Sequence, residues 1–297
     1  MHGFSTRPGG ASLLDAERVL NLGHTGWDTR SNVQVNRAMF LSALGAEEMK
    51  LITLRQMHSD LIHLLDEAPA ESAQSVRSPV PSRSFGSAGR GDALHRIRRG
   101  GQGDAAITRV QGVLLAIQTA DCVAVLLVDP QQRVVAAVHA GWRGTLRRIV
   151  AKTLGQMQMA YATRPQDVLA VLGPRIGRCC YEVGPEVAQA YASQFAHARE
   201  WFDGPFDQLS TGQEPTPLKW LTMAPPGHDP PPPRVRLDLT AANRWQLLDA
   251  GLEPSNILSS DLCTACRTDL FFSHRRERGR TGRMMSVIGI RPAKDTE

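Results

Sequence analysis

Cys122 and His139 are the residues whose types and spacing most readily carry chemistry in this chain. Each stands at the mouth of a short apolar, β-branched run, 123–129 for the cysteine and 134–140 for the histidine. Pro130, Gln131, Gln132 and Arg133 join the two runs, a length suited to an antiparallel hairpin. If Asp129 faces Val134, then Ala124 faces His139, and Cys122 lies on the neighbouring diagonal on the same face of the sheet. A thiolate and an imidazole so placed are within reach of one metal ion. A slip of one residue would send them to opposite faces. The same pair also has the composition of a cysteine hydrolase, with Cys122 as nucleophile and His139 as base.

The segment after His139 adds an anion-binding character. Gly141, Trp142, Arg143, Gly144 and Thr145 lead into a stretch in which Leu146, Ile149, Val150, Thr153, Leu154 and Met157 recur at helical spacing. Thr145 is the expected N-cap. A glycine-bearing turn that opens a helix presents free N–H groups, and Arg143 adds a full charge, so this is the expected phosphate site. Arg7, in the turn cluster STRPGG near the start, is a second candidate for an anion.

These residues need a scaffold, and the sequence supplies one. Residues 113–119 form a further buried strand, 51–54 and 167–172 shorter ones, and 284–290 the last. Ser31 or Asn32 is expected to cap a helix that ends at Gly45. Gly184 and Pro185 open another, running to about Phe195. Asp238 or Thr240 opens a third, closed by Gly251. Residues 67–100 and 203–233 break the pattern. The first is rich in Ser, Arg, Gly and Pro, and the second ends in PPGHDPPPP, so both are expected to be flexible surface insertions. Cys179 and Cys180 are adjacent, which makes them poor joint ligands, and Cys263 and Cys266 form a lone CxxC, a weak zinc signal.

Composition narrows the function classes. The net charge is +5, and residues 77–99 hold six arginines against one acid, so the rest of the chain is nearly neutral. That argues against nucleic-acid binding as a global property and leaves RNA contact by the basic insertion as a minor alternative. Five scattered cysteines point to a reducing compartment. No run of 18 apolar residues and no N-terminal apolar leader occur, so the chain reads as soluble and cytoplasmic, with no membrane contact.

The pieces HGFSTRPGG, LNLGHTG, RQMHS, GDAAIT, TADCVAVLLVD, VVAAVHAGWRGT, LGPRIG with YEVG, and FFSHRRERGRTGR occur in this order over nearly the whole chain. Together they resemble the laccase-domain proteins, also called the multicopper polyphenol oxidase or purine nucleoside phosphorylase family. The pairing of TADC with HAGWRG is the specific part. The resemblance implies an α+β fold, a layered α/β/β/α arrangement with mixed sheets, as a single domain spanning residues 1–297. It implies a zinc site at His58, Cys122 and His139, which spacing alone would not have extended to His58. Copper is the alternative metal. The implied activity is phosphorolysis of adenosine, inosine and methylthioadenosine, with adenosine deamination also attributed to the family, so purine nucleosides and phosphate are the expected partners. Asp121, beside the cysteine, is expected to be a general acid/base or a partner of an imidazole. The polyphenol-oxidase reading fits poorly with nine histidines that include no His-x-His pair. Ala124 stands where the family usually has proline, and Trp27 where it usually has an acid.

Overall fold

Residue parity in the central strands sorts their side chains onto two faces, and both faces are buried. The computed structural model describes residues 1–65, 97–207 and 234–292. Its strands are β1 (His2–Phe4), β2 (Pro8–Leu14), β3 (Glu17–Val19), β4 (Lys50–Arg55), β5 (Ile62–Leu65), β6 (Ile97–Gln102), β7 (Ala105–Thr108) and β8 (Val113–Thr119). They continue with β9 (Val123–Asp129), β10 (Val134–Ala140), β11 (Leu169–Leu172), β12 (Glu182–Val183), β13 (Phe202–Asp203), β14 (Val235–Leu237), β15 (Ile257–Ser259) and β16 (Met284–Gly289). The helices are α1 (Arg30–Ala43), α2 (Trp142–Leu146), α3 (Ile149–Tyr161), α4 (Pro185–Gln194) and α5 (Leu239–Asp249).

One mixed sheet runs β1-β16-β8-β4-β6 and a second runs β15-β11-β9-β10-β7-β5. Leu115 and Ile117 of β8, Ala124 and Leu126 of β9, and Val135 and Ala137 of β10 fill the apolar layer between the sheets. The alternate residues Leu114 and Ala116 turn the other way, onto Phe40 and Leu41 of α1. Val123, Val125, Val138 and Ala140 turn onto Ile149, Leu154 and Met157 of α3 and Leu247 of α5. Both sheets are therefore covered on each face, giving the α/β/β/α layering expected. Each large aliphatic side chain so buried stabilises the fold by roughly 1.5–3 kcal/mol. The β9–β10 register is the one the four-residue link implies, Asp129 opposite Val134 and Ala124 opposite His139. Ala124, at the proline position, is buried there, and its carbonyl accepts the N–H of Gly173 at 2.9 Å.

Several boundaries differ from expectation, each for a tertiary reason. The helix after His139 is two helices, because Arg148 takes a left-handed conformation, φ 59°, between them. Its guanidinium lies 4.6 Å over the Phe195 ring and bonds the Gln194 carbonyl at 3.2 Å, contacts that hold the break. Gly141, not Thr145, is the N-cap of α2. The Thr145 N–H is already bonded to the Gly141 carbonyl at 2.9 Å, so the free N–H groups of this helix start lie before Thr145. Thr29 caps α1 in place of Ser31 or Asn32, its hydroxyl accepting the Asn32 N–H at 3.1 Å.

The insertions also differ at their edges. Strand β6 begins inside 67–100 and pairs in parallel with β4, Leu51 opposite Ile97. At the second, Phe202 and Asp203 pair with β14, and Phe206 packs 4.7 Å from the Phe202 ring in the core. Residues 66–96 and 208–233, which carry most of both insertions and the basic run up to Arg96, lie outside the described residues. No helix among the described residues is long and apolar enough to cross a membrane.

Candidate metal centre

Cys122 and His139 project from the same end of the seam between the two sheets, as their parity with Ala124 and Ala137 requires. His58 reaches the same point from the turn that follows β4, where its backbone takes φ 58°. The chain turns there rather than continuing β4, and the cause is Asp104. This buried carboxylate accepts the N–H groups of Met57 at 3.1 Å, His58 at 3.0 Å and Ser59 at 2.7 Å, and the Ser59 hydroxyl at 2.5 Å. Three consecutive N–H groups converging on one carboxylate fix a turn no local sequence preference would impose.

The same carboxylate accepts a bond from His139 Nδ1 at 2.8 Å. When that nitrogen carries the one ring proton, as in a ligating neutral imidazole, Nε2 of His139 turns its lone pair towards the cluster. His58 Nε2 lies 3.9 Å from Cys122 Sγ, and the two imidazoles meet edge to face with centroids 4.9 Å apart. One atom from each of His58, Cys122 and His139 falls within 4.8 Å of the others. Gly141 leaves the room this needs, since a Cβ there would stand 2.9 Å from the sulfur.

The electrostatics follow from the burial and the contacts. Burial would raise the Asp104 carboxyl, but its bonds to His139 and Ser59 hold it well below the usual carboxylate range. Burial would likewise raise the Cys122 thiol, yet the neighbouring His139 and His58 bring it down to about 6. His139 shows the reverse: burial lowers it, and Cys122 and Asp104 raise it to about 9. Without metal, each partner thus favours the charged form of the other, a thiolate beside an imidazolium.

The residues fit a metal. One soft thiolate and two oriented imidazoles form a three-ligand set of the kind that binds zinc with a fourth position open. Asp104 is the carboxylate that orients a ligating histidine in such sites. Its role was not legible in advance; the motif GDAAIT marked the position without saying what it holds.

The ligands line a cavity of about 840 Å³, within the range of small-molecule sites. Arg143, Arg275 and Arg283 stand on its wall with Tyr181, Gln56 and Gln118. Arg143 lies 4.4 Å over the Trp142 ring. The Arg275 guanidinium lies 5.4 Å over the Tyr181 ring and bonds the Glu182 carbonyl at 2.6 Å. Burial lowers Arg283, and the charges of Cys122 and Asp121 oppose that shift. Burial pushes the Tyr181 phenol up, so it remains protonated at neutral pH. Arg275 and Arg283, both in the closing arginine-rich loop, join Arg143 as anion candidates by position.

Asp121 is in the wall of the cavity. Its carboxylate accepts the Thr264 hydroxyl at 2.6 Å and the Arg275 N–H at 2.7 Å, and no imidazole. It holds the loops of Thr264 and Arg275 against the site. Arg7 is not brought to the cavity. It bonds Glu277 at 2.6 Å, and its guanidinium lies 5.4 Å over the Phe272 ring. Trp27, at the position where an acid is usual, donates its indole N–H to the Thr281 carbonyl at 2.9 Å.

A layered α+β scaffold that converges a thiol and two imidazoles at the seam of its sheets, above an arginine-walled cavity, is the architecture of a small-molecule enzyme. The profile of the family described as Multi-copper polyphenol oxidoreductase laccase matches residues 1–291, and the chain belongs to that family. It is similar to the purine nucleoside phosphorylase YlmD of Geobacillus stearothermophilus, 34% identical over 292 residues that cover 97% of this chain and 89% of that one. It is also similar to the adenosine deaminase RL5 from an unknown prokaryotic organism, 31% identical over 285 residues, with 96% and 92% of the two chains covered. Among solved structures, the hypothetical protein YfiH of Bacillus licheniformis superposes with a TM-score of 0.73 at 29% identity, covering 98% of this chain and 92% of that one.

Proposed function

We propose that this protein is a zinc-dependent purine nucleoside phosphorylase acting on adenosine, inosine and methylthioadenosine, with adenosine deamination as an accessory reaction. The observation that carries the reading is the meeting of His58, Cys122 and His139 inside a cavity walled by Arg143, Arg275 and Arg283. The names of the relatives, phosphorylase and deaminase, supply the substrate class.

Phosphorolysis breaks the bond between ribose C1′ and the purine nitrogen while a phosphate oxygen bonds C1′. The bonding pair leaves with the base, which takes up a proton, and ribose 1-phosphate remains. Arg143, with Arg275 and Arg283, binds the phosphate by charge-assisted hydrogen bonds. Tyr181 provides a ring wall and a protonated phenol beside the sugar or base. Asp121 positions Arg275, and each of its oxygens accepts one hydrogen bond and keeps a lone pair for a proton. His58, Cys122 and His139 would hold the zinc, which supplies Lewis acidity when bound. Zinc is favoured over a set of coppers by the donor chemistry: among the described residues only this cluster mixes thiol and imidazole, and no second histidine cluster accompanies it. The five free cysteines support a cytoplasmic setting.

The experiment is turnover of adenosine and inosine by purified protein, with and without phosphate and with and without a chelator. Base release that requires phosphate and disappears on chelation supports the proposal; turnover in a metal-free preparation rejects the zinc mechanism.

One observation favours a second reading. Cys122, His139 and Asp104 also have the order of a nucleophile, its base and the carboxylate that orients the base. A cysteine hydrolase of this kind would act on an amide, form an acyl adduct on Cys122, and survive a chelator.

A further inference from the structure

On the outer side of the cavity wall the fold gathers the four remaining cysteines. Cys179 and Cys180 end the turn that leaves Gly177, and Cys263 and Cys266 belong to the loop after β15. The two loops meet at a parallel bridge between Arg175 and Cys263. Adjacency made Cys179 and Cys180 look like poor joint ligands, and the CxxC lacked a partner pair. In three dimensions each supplies what the other lacked.

Cys180 Sγ lies 3.4 Å and Cys179 Sγ 3.6 Å from Cys266 Sγ, and all four sulfurs fall within 4.8 Å of one another. Four sulfurs around one zinc at about 2.3 Å stand about 3.8 Å apart. A disulfide, at about 2.05 Å, would have to choose between Cys179 and Cys180 and leave two thiols over. All four are free, Cys179 and Cys266 exposed, Cys180 and Cys263 half-buried.

Two further features point to a metal. The N–H of Gly177 is directed at Cys263 Sγ at 3.2 Å, and a Cβ at Gly177 would stand 3.2 Å from Cys179 Sγ and 3.3 Å from Cys263 Cβ. Beside Cys263 the buried Arg175 has a guanidinium nitrogen, Nη1, with no hydrogen-bond partner. A zinc held by four thiolates carries two net negative charges and would compensate that buried cation.

We propose that Cys179, Cys180, Cys263 and Cys266 form a second metal site, a structural tetrathiolate zinc that staples two loops of the cavity wall. Zn²⁺ binds as the four thiols give up their protons, with no change of oxidation state. The staple has a direct line to the chemistry: Cys180 precedes Tyr181, and Thr264, between the two CxxC ligands, holds Asp121 at 2.6 Å.

The test is zinc stoichiometry on the full chain, purified under reducing conditions. The wild type is expected to hold two equivalents, and His58→Ala combined with Cys122→Ser one. Zinc X-ray absorption of that double variant is expected to give an all-sulfur shell at about 2.3 Å. Cys266→Ser is expected to bring the wild type down to one equivalent. If Cys266→Ser does not fold, the absorption spectrum of the double variant decides alone. One equivalent in the wild type, no zinc in the double variant, a shell containing nitrogen, or a Cys179–Cys266 or Cys180–Cys266 disulfide in mass mapping of freshly purified protein would each overturn the proposal.

Discussion

His139 donates from Nδ1 to the carboxylate of Asp104 at 2.8 Å, and that bond decides which nitrogen of His139 faces Cys122. The same carboxylate ties down the turn that carries His58, so one side chain orients two of the three candidate ligands from outside the ligand set.

Asp104→Ala is therefore expected to lower zinc affinity by about ten- to a hundredfold, although no ligand is removed. It also leaves several buried N–H groups without an acceptor, each worth about 1–3 kcal/mol, so a lower unfolding midpoint should accompany the loss. Competition with a chromogenic chelator and urea unfolding measure the two effects. Unchanged affinity would show that the turn and the imidazole hold their places unaided.

The thiolate–imidazolium pair gives a pH signature in metal-free protein. The Cys122 thiol sits at about 6, below its unfolded value, so its contribution to stability is complete above the ordinary thiol range and is lost as pH falls through about 6. His139 sits at about 9, above its unfolded value, so its contribution is complete below the ordinary imidazole range and is lost as pH rises through about 9. Alkylation of Cys122 by iodoacetamide, followed by peptide mapping, should show a midpoint near pH 6. His139→Asn should move it upward; a midpoint insensitive to that change would deny the coupling.

Arg143→Ala should raise the phosphate KM by about ten- to a hundredfold, the loss of one charge-assisted contact of roughly 1.5–3 kcal/mol, while zinc content stays the same. Loss of zinc with an unchanged phosphate KM would make Arg143 structural and leave the anion to Arg275 and Arg283.

Cys122→Ser and His58→Ala separate the two enzyme readings. For a zinc site both substitutions remove the catalytic metal and turnover together, because a hydroxyl is a poor soft donor and three ligands tolerate no loss. For a hydrolase His58→Ala leaves the acyl adduct on Cys122 intact, which mass spectrometry detects.

The first insertion can be bounded by experiment. Replacing residues 67–93 with a short Gly/Ser linker keeps β6 and its pairing with β4, and should leave the unfolding midpoint nearly unchanged. Extending the replacement to 100 removes Ile97, Arg98 and Arg99 from opposite Leu51, Ile52 and Thr53, and should lower it. Equal midpoints would mean that β6 adds nothing to the sheet.

The strands at 113–119, 123–129 and 134–140 were legible because each is a β-branched apolar run closed by a turn, and the short β9–β10 link left one sensible register. That register brought Cys122 and His139 together correctly. His58 needed the family resemblance, because its turn is set by Asp104 from a distant part of the chain. Asp104 stayed hidden for the same reason: its partners lie up to 47 residues away in sequence. The break at Arg148 depends on Phe195, and the meeting of Cys180 with Cys266 spans 86 residues. No local pattern records either contact.

His58 follows a strand of the five-stranded sheet, whereas Cys122 directly precedes one strand of the six-stranded sheet and His139 lies in another. An ion shared among them would be a rivet through two plates. Between the plates Leu115, Ile117, Ala124 and Leu126 pack without directional bonds, and His63 Nε2 meets the Gln102 carbonyl at 2.7 Å from one sheet to the other. Such a rivet would set the spacing of the sheets at the cavity, so its loss would loosen the walls of the site as well as empty the ligand set.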